Sequence, residues 1–201
     1  MYPHNDLYWS NFFSSVSIFS FNSSISFFVA MFIFVKTIET SFAIFSSNSS
    51  GSLANKQGRI IGTNLAGGHA EFEGAVGSFV IKLFEISIAG AGLSFETARR
   101  EGFDALRAFV VQFDRAHFYP EKDLLYMELV VEKDSGLVLG IQGLGGRSGS
   151  VVARVNAVSA ILKYKPTIKD ISNLELPYSP PFSAAMDILN ALGNTAENIM
   201  A

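Results

Sequence analysis

The chain has 201 residues, a formal net charge of −3 at pH 7 and no cysteine. The weak negative charge excludes the basic surface that nucleic-acid binding requires, and no cluster of basic residues exceeds the pair Arg99 and Arg100. Without cysteine, the chain has no disulfide, no thiolate metal ligand and no redox thiol of its own.

Residues 1–50 consist mostly of Phe, Ser, Ile and Asn, and no charged residue lies between Asp6 and Lys36. A membrane helix of roughly 20 residues can be drawn over residues 16–35, although its serines and Asn22 would lack water in hydrocarbon. The alternative interpretation is that T- and A-rich DNA has been translated in an unselected reading frame. We assign no fold to residues 1–50, and both interpretations stay open.

From residue 51 onward the pattern is that of a folded domain. Residues 51–68 carry apolar residues at helical spacing and predict one amphipathic helix that stops at two glycines. Residues 77–92 are rich in Val, Ile and Phe and predict one long strand. Residues 93–102 predict a short helix, with Ser94 as its N-cap and Gly102 as its stop.

The central region predicts three strands and a helix. Residues 105–113 and 124–132 are strands by composition, and the turn at 134–136 joins the second of them to residues 137–145 as a hairpin. Residues 151–162 repeat valines at helical spacing and predict a long helix. Strands and helices are grouped instead of alternating, which favours an α+β fold: an antiparallel sheet with helices packed on one face.

The stretch "LPYSPPFSAAMDILNALGN", residues 176–194, places Pro180 and Pro181 before an apolar helical pattern. Tandem prolines fix φ and remove two backbone donors, so we expect a rigid joint that delivers the chain to the start of a final helix. Tyr178 and Phe182 flank this joint. They either cap the core or line a cleft.

Candidate chemical motifs are few. The glycine run at 140–150 fits neither of the common phosphate-loop motifs. His69, Glu71 and Glu73 alternate as metal ligands on a strand would, but a solvated linker explains them more simply. His117 is the best general base by residue type, yet no Ser or carboxylate is arranged around it in sequence as a triad. The sequence predicts neither a metal site nor a catalytic residue.

Several motifs of residues 74–198 occur in the order found in one family: "GAVGSFVIKLFEISIAGAGLSFETARREG", "HFYP", "SGLVLGIQGLGG", "VVARVNAVSAIL" and "LELPYSPPFSAAMDILNALGN". This part resembles the C-terminal dimerisation domain of FAD-dependent pyridine nucleotide-disulfide oxidoreductases. It is most similar to the coenzyme A-disulfide reductase, NADH oxidase and persulfide reductase branch. The resemblance implies a homodimer, or a dimer with a full-length reductase subunit, in the cytoplasm.

The resemblance also implies site residues. Tyr119 in "HFYP" and Phe182 match two positions from which aromatic residues reach the partner subunit's substrate site, and Tyr178 lies beside the second position. Phe182 lacks the hydroxyl that a Tyr there would supply. Residues 51–68 are similar to the last helix of the FAD-binding domain, whose beginning approaches the flavin, which makes weak flavin-contact candidates of Leu53, Ala54 and Asn55.

The two nucleotide-binding domains and the redox cysteine of that family have no counterpart in this sequence. The resemblance therefore implies a dimerisation domain over residues 71–201, preceded by a remnant of the FAD domain at 51–70. Such a fragment binds no cofactor alone, while full-length members use FAD and NAD(P)H, and it is inactive by itself. The alternative is a small membrane-anchored interaction protein that uses residues 16–35 as a transmembrane helix.

Overall fold

The computed structural model describes residues 51–146 and 149–201, all of which belong to one compact unit. In chain order the elements are α1 (Gly51–Leu65), β1 (Phe79–Leu83), β2 (Ile86–Gly92), α2 (Phe95–Arg100), β3 (Ala105–Phe113), β4 (Leu124–Glu132), β5 (Val138–Gly145), α3 (Ser150–Leu162), α4 (Ile168–Ser172) and α5 (Ile188–Met200).

The strands form one five-stranded sheet in the order β1-β2-β5-β4-β3. Every neighbouring pair is antiparallel, which confirms the predicted fold class. The hairpin between β4 and β5 is also confirmed. Strand β3 lies at one edge of the sheet and β1 at the other, so both edges are formed by strands that pair on one side only.

The prediction of one long strand over residues 77–92 is wrong, because the run folds back on itself as the β1–β2 hairpin. Phe84 turns the chain with a left-handed φ of 51°. No Gly, Asn or Pro marks this turn, so the sequence carries none of the usual hairpin signals. Gly90 accommodates the fold-back, since a Cβ there would lie 2.7 Å from Cε1 of the Phe79 ring.

Helices α3 and α5 cover one face of the sheet and form the main core with it. The core residues alternate along β4 and recur at helical spacing on α3 and α5: Leu125, Met127, Leu129 and Val131, then Val151, Val155 and Val158, then Leu189 and Leu192. Helix α2 packs against the opposite face near one end, through a small cluster around Ala98, Val130 and Leu139. Val130 lies between two core residues in β4 and therefore points to that opposite face.

The helix ends follow local sequence. Ser94 caps α2 by accepting a hydrogen bond from the Thr97 N–H at 3.2 Å, as predicted, and Gly102 follows the helix with φ of 93°. Helix α1 forms as predicted but buries no side chain within the described part of the chain. Its Ile61 and Leu65 are 58% and 83% exposed, so the apolar side of α1 is not buried against the rest of the described chain.

The tandem prolines lie in a turn and not directly at a helix start. The N–H groups of Phe182 and Ser183 donate to the Ser179 carbonyl at 2.9 and 3.1 Å, which closes a turn around Pro180 and Pro181. Helix α5 begins at Ile188, where the Asp187 carboxylate accepts a hydrogen bond from the Leu189 N–H at 3.1 Å. The Asp187 cap therefore sets the helix start, six residues beyond the second proline.

Helices α4 and α5 approach closely at Gly193. A Cβ at this position would lie 2.5 Å from the Ser172 N and 2.7 Å from its Cα, so Gly193→Ala must push backbone apart. We expect the free energy of unfolding to fall by about 1–3 kcal/mol in urea titrations followed by circular dichroism.

The control is Gly58→Ala in α1, where an added Cβ meets nothing within 4 Å. Its free energy of unfolding should stay unchanged or rise, by at most about 1 kcal/mol, because Ala favours the helix. Equal effects of the two substitutions would contradict the close approach of α4 and α5.

Candidate functional site

The face of the sheet opposite α3 and α5 carries an apolar row that crosses all five strands. Directly paired residues of antiparallel strands lie on the same side of a sheet. The row consists of Ile81, Ile88, Leu144, Tyr126 and Val111, each paired with the next. We call this side of the sheet the open face.

The open face is widest and most exposed at β3 and β4. Phe109 is 57% exposed, Val111 44% and Tyr126 37%. Phe113 and Leu124, which pair with each other at the end of these strands, are 36% and 40% exposed. Exposed aromatic and aliphatic side chains grouped in this way are typical of surfaces that bind another protein or domain, which makes the open face a candidate binding surface.

Two segments meet beyond this end of the sheet. The loop from 114 to 123 joins β3 to β4 and carries half-buried Tyr119, whose N–H donates to the Ala116 carbonyl at 2.9 Å. The segment between α4 and α5 carries Tyr178 and Phe182, which are 51% and 74% exposed. The Ala116 N–H donates to the Pro180 carbonyl at 3.2 Å, so the two segments are in direct contact. We call Tyr119, Tyr178 and Phe182 the aromatic rim.

Asp114 closes the loop that carries Tyr119. This side chain is 1% exposed and accepts hydrogen bonds from Arg115 at 2.8 and 3.1 Å, from the Asp123 N–H at 3.0 Å and from the Ser150 hydroxyl at 2.9 Å. Burial by itself raises the pKa of Asp114, but these hydrogen bonds and the charge of Arg115 outweigh it and lower that pKa below its ordinary value. The carboxylate is thus held ionised inside the fold.

Arg154 of α3 holds the other segment. Its Nε and Nη2 donate to one carboxylate oxygen of Asp187 at 3.1 and 2.7 Å, and the two side chains are 11% and 7% exposed. No role was predicted for Arg154 from the sequence, so this contact was missed. The available signal was a single charged residue on α3, together with an Asp ahead of the last helix.

The remaining candidates do not form a site. His69 and Glu71 are 3.5 Å apart on exposed side chains, and Glu73 pairs with Lys163 at 3.6 Å. No group of three or more His, Asp or Glu residues that could hold a metal ion occurs within residues 51–146 and 149–201. His117 is exposed, and its ring lies edge-on to the Phe118 ring with 5.5 Å between the ring centroids. Phe118 is neither a nucleophile nor a carboxylate that could work with a general base.

The candidate flavin contacts lie together in the first turn of α1, where Leu53 is half-buried and its two neighbours Ala54 and Asn55 are exposed. In the part of the chain that the structure describes, no helix is long and apolar enough to cross a membrane. The predicted span at residues 16–35 lies outside the described residues. In the glycine run at 140–150, residues up to Gly145 belong to β5, and Ser150 is the first residue of α3.

The lowered pKa of Asp114 predicts a pH-dependent effect of its removal. At pH 7, we expect Asp114→Asn to lower the free energy of unfolding by about 1–3 kcal/mol, because donors to the carboxylate lose their partner. The ionised carboxylate stabilises the fold fully above its ordinary pKa of 3.8 and loses this effect as the pH falls through its lowered folded value. The difference between the two proteins in urea titrations should therefore shrink below pH 3.8.

The control for this prediction is Asp104→Asn, which removes an exposed carboxylate 3.1 Å from Lys133. We expect an effect of at most about 1 kcal/mol at pH 7. A difference for Asp114→Asn that does not change with pH would contradict the ionised state of the buried carboxylate.

Residues 78–189 match the family described as "Pyridine nucleotide-disulphide oxidoreductase, dimerisation domain". The chain is 33% identical over 138 residues to the NAD(P)H sulfur oxidoreductase (CoA-dependent) of Pyrococcus abyssi, covering 69% of this chain and 30% of that relative. The chain therefore spans under a third of the length of this curated relative.

Two solved structures have the same fold. The NAD-dependent persulfide reductase from A. fulgidus matches with a TM-score of 0.71 and 37% identity, covering 75% of this chain and 28% of that chain. The FAD-dependent pyridine nucleotide-disulphide oxidoreductase from Desulfovibrio vulgaris matches with a TM-score of 0.62 and 46% identity, covering 75% and 33%. The match over residues 78–189, which include the whole sheet, shows that the chain belongs to the pyridine nucleotide-disulphide oxidoreductase dimerisation-domain family.

Proposed function

We propose that the chain is the subunit-interface part of an FAD- and NAD(P)H-dependent disulfide or persulfide reductase. It binds a second copy, or a full-length reductase subunit, through the open face. It presents the aromatic rim to the partner's active site. FAD, NAD(P)H and the redox thiol belong to full-length subunits, and the chain alone is not catalytic.

The observation that carries this proposal is the apolar row across the open face. A strand with one face in water alternates apolar and polar residues, whereas β4 reads "LLYMELVVE" and exposes Leu124 and Tyr126 on the side away from the core. Helices α3 and α5 cover only the other side. A second copy that covers this side would form a symmetric interface, for which stable dimers bury on the order of 800 Å² per partner.

The aromatic rim continues from the open face. Phe113 and Leu124 form the last pair of β3 and β4, and the loop that carries Tyr119 starts directly after Phe113. A partner seated on the open face thus borders this loop. In the proposal, the Tyr119 hydroxyl gives or accepts a hydrogen bond at the partner's substrate site, while Tyr178 and Phe182 supply stacking surface.

The proposal extends to helix α1. Its first turn, with Leu53, Ala54 and Asn55, would approach the flavin when the preceding FAD-binding domain is present. The exposed apolar residues Ile61 and Leu65 support a neighbouring domain on this helix.

The interface is tested by a matched pair of valines. Val111 on the open face and Val80 on the opposite side of the other edge strand are 44% and 57% exposed. We expect Val111→Ser to weaken the dimer at least about tenfold by sedimentation velocity, the loss of about 1.4 kcal/mol of interface contact. Val80→Ser should leave the dimer unchanged. A monomeric wild-type chain, or equal effects of both substitutions, would contradict the proposed interface.

The role of the rim is tested in a chimera. The dimerisation domain of the Desulfovibrio vulgaris reductase, which is 46% identical in its matched part, is replaced by residues 74–201. We expect Tyr119→Phe in the chimera to lower kcat/KM about tenfold, since one transition-state hydrogen bond is lost. Tyr164→Phe is the control, because Tyr164 is 71% exposed and follows α3, outside the rim.

Two results would contradict this part of the proposal. One is a Tyr119→Phe chimera that is as active as the Tyr164→Phe control. The other is a purified 201-residue chain that carries flavin at one per chain, or that oxidises NADH unaided.

A further inference from the structure

We propose that Arg154 is a positioning residue that locks the two segments of the aromatic rim to each other and to α3. The use of this lock in a partner's active site rests on the proposed function. The lock itself is a property of this chain.

Arg154 reaches the segment that carries Phe182 at two points. Its Nη2 lies 3.4 Å from the Phe182 carbonyl oxygen and 2.7 Å from the Asp187 carboxylate. The second oxygen of Asp187 accepts the Leu189 N–H at 3.1 Å, which fixes the start of α5. The guanidinium therefore holds both ends of the turn between the tandem prolines and α5.

The same nitrogen reaches the segment that carries Tyr119. Arg154 Nη2 donates to the Asp114 carbonyl at 3.2 Å, directly after β3 ends. The Asp114 carboxylate accepts the hydroxyl of Ser150, the first residue of α3, at 2.9 Å. Arg154 Nη1 also lies 3.4 Å from the Ser150 carbonyl. One side chain thus joins the end of β3, the first turn of α3 and the turn before α5.

These contacts matter because the rim segments are irregular. Residues 114–123 and 173–187 contain no helix or strand, so their backbone groups lack the regular partners that fix the rest of the fold. One N–H of Arg154 Nη2 is directed to the Asp187 carboxylate, and the other is shared between the carbonyls of Asp114 at 3.2 Å and Phe182 at 3.4 Å; the Ala116 N–H adds a further link at Pro180. A Lys has three donors on one compact ammonium and does not match a carboxylate and separate carbonyls as the planar guanidinium does.

The inference is that Arg154 fixes the separation of Tyr119 and Phe182. Residues that contact a reacting group must be held within about 0.5 Å by neighbours whose own side chains are locked. A guanidinium that is 11% exposed and paired with a buried carboxylate meets that requirement. Arg154 acts on the rim through the backbone carbonyls of Asp114 and Phe182.

The absence of cysteine allows a direct test in the full chain. Tyr119→Cys and Phe182→Cys together give two unique sites for nitroxide labels, and their dipolar coupling reports the distribution of distances between the segments. We expect a narrow distribution with Arg154 present. We expect at least a twofold broader one in Arg154→Met, and a similar broadening in Arg154→Lys.

The matched control is Arg107→Met, which removes an exposed guanidinium 3.7 Å from Glu128 in the sheet and should leave the distribution unchanged. If Arg154 only stabilises the fold, Arg154→Met lowers the urea midpoint of unfolding without broadening the distance distribution. This result would overturn the inference. If Arg154→Met does not fold, Arg154→Lys decides: a narrow distribution overturns the inference and a broad one supports it.

The failure of this inference is distinct from failure of the proposed function. The wild-type chain could be monomeric and have a narrow label distribution that broadens in Arg154→Met. In that case the role of Arg154 stands and the proposed interface is wrong. If the chain is dimeric but the label distances are unchanged in Arg154→Met, the proposed interface stands and the proposed role of Arg154 is wrong.

Discussion

The sheet carries apolar side chains on both faces: α3 and α5 cover one face, and α2 covers only one end of the other. Burial of apolar surface is the main favourable term in folding and in association, at roughly 25 cal/mol per Å². The row from Ile81 to Val111 crosses the open face, and at β3 the exposed side chain of Phe109 lies beside that of Val111. A sheet built in this way gains stability when another protein surface covers the part of the open face that α2 leaves exposed. Membership in a dimerisation-domain family agrees with this constraint.

The rim depends on a second interaction, between buried charges. Asp114 and Asp187 are 1% and 6% exposed, and each carboxylate is paired with an arginine and accepts a backbone N–H. A buried carboxylate is expensive to desolvate and is retained where its hydrogen bonds specify one arrangement, here that of two irregular segments. The apolar open face thus supplies contact area, and the charged network behind it supplies geometry. Both meet at the end of β3 and β4.

The strands and helices that were predicted well are those whose apolar residues recur at regular spacing along one buried side. Strands β3 and β4 and helix α3 were located closely, because their patterns are long and the loops between them contain glycine or proline. The β1–β2 hairpin was missed because Phe84 adopts a left-handed turn that carries no turn residue. Likewise, Asp187 and not the tandem prolines caps α5, and its other carboxylate oxygen accepts a hydrogen bond from Arg154, 33 residues away in sequence.

The site was less predictable than the fold. Tyr178 and Phe182 stood out beside the prolines, but that position left a core role and a cleft role equally open, and only the resemblance gave Tyr119, Tyr178 and Phe182 a place at a partner's site. The contact between the Tyr119 loop and the Pro180 turn is a backbone hydrogen bond between distant segments, and no local pattern encodes it. Strand β4 exposes Leu124 and Tyr126 on the side away from the core, and the strand pattern does not show which side α3 and α5 cover.

The most direct test of the account uses a single cysteine placed on the open face of this cysteine-free chain. Tyr126 lies in the apolar row next to its β3 end and is 37% exposed in the chain alone, and the variant is Tyr126→Cys. The account predicts that its rate of reaction with a maleimide falls steeply as the protein concentration rises through the dimer dissociation constant, while Val80→Cys reacts at one rate throughout. A Tyr126→Cys rate that is independent of protein concentration would contradict the claim that a second subunit covers this face.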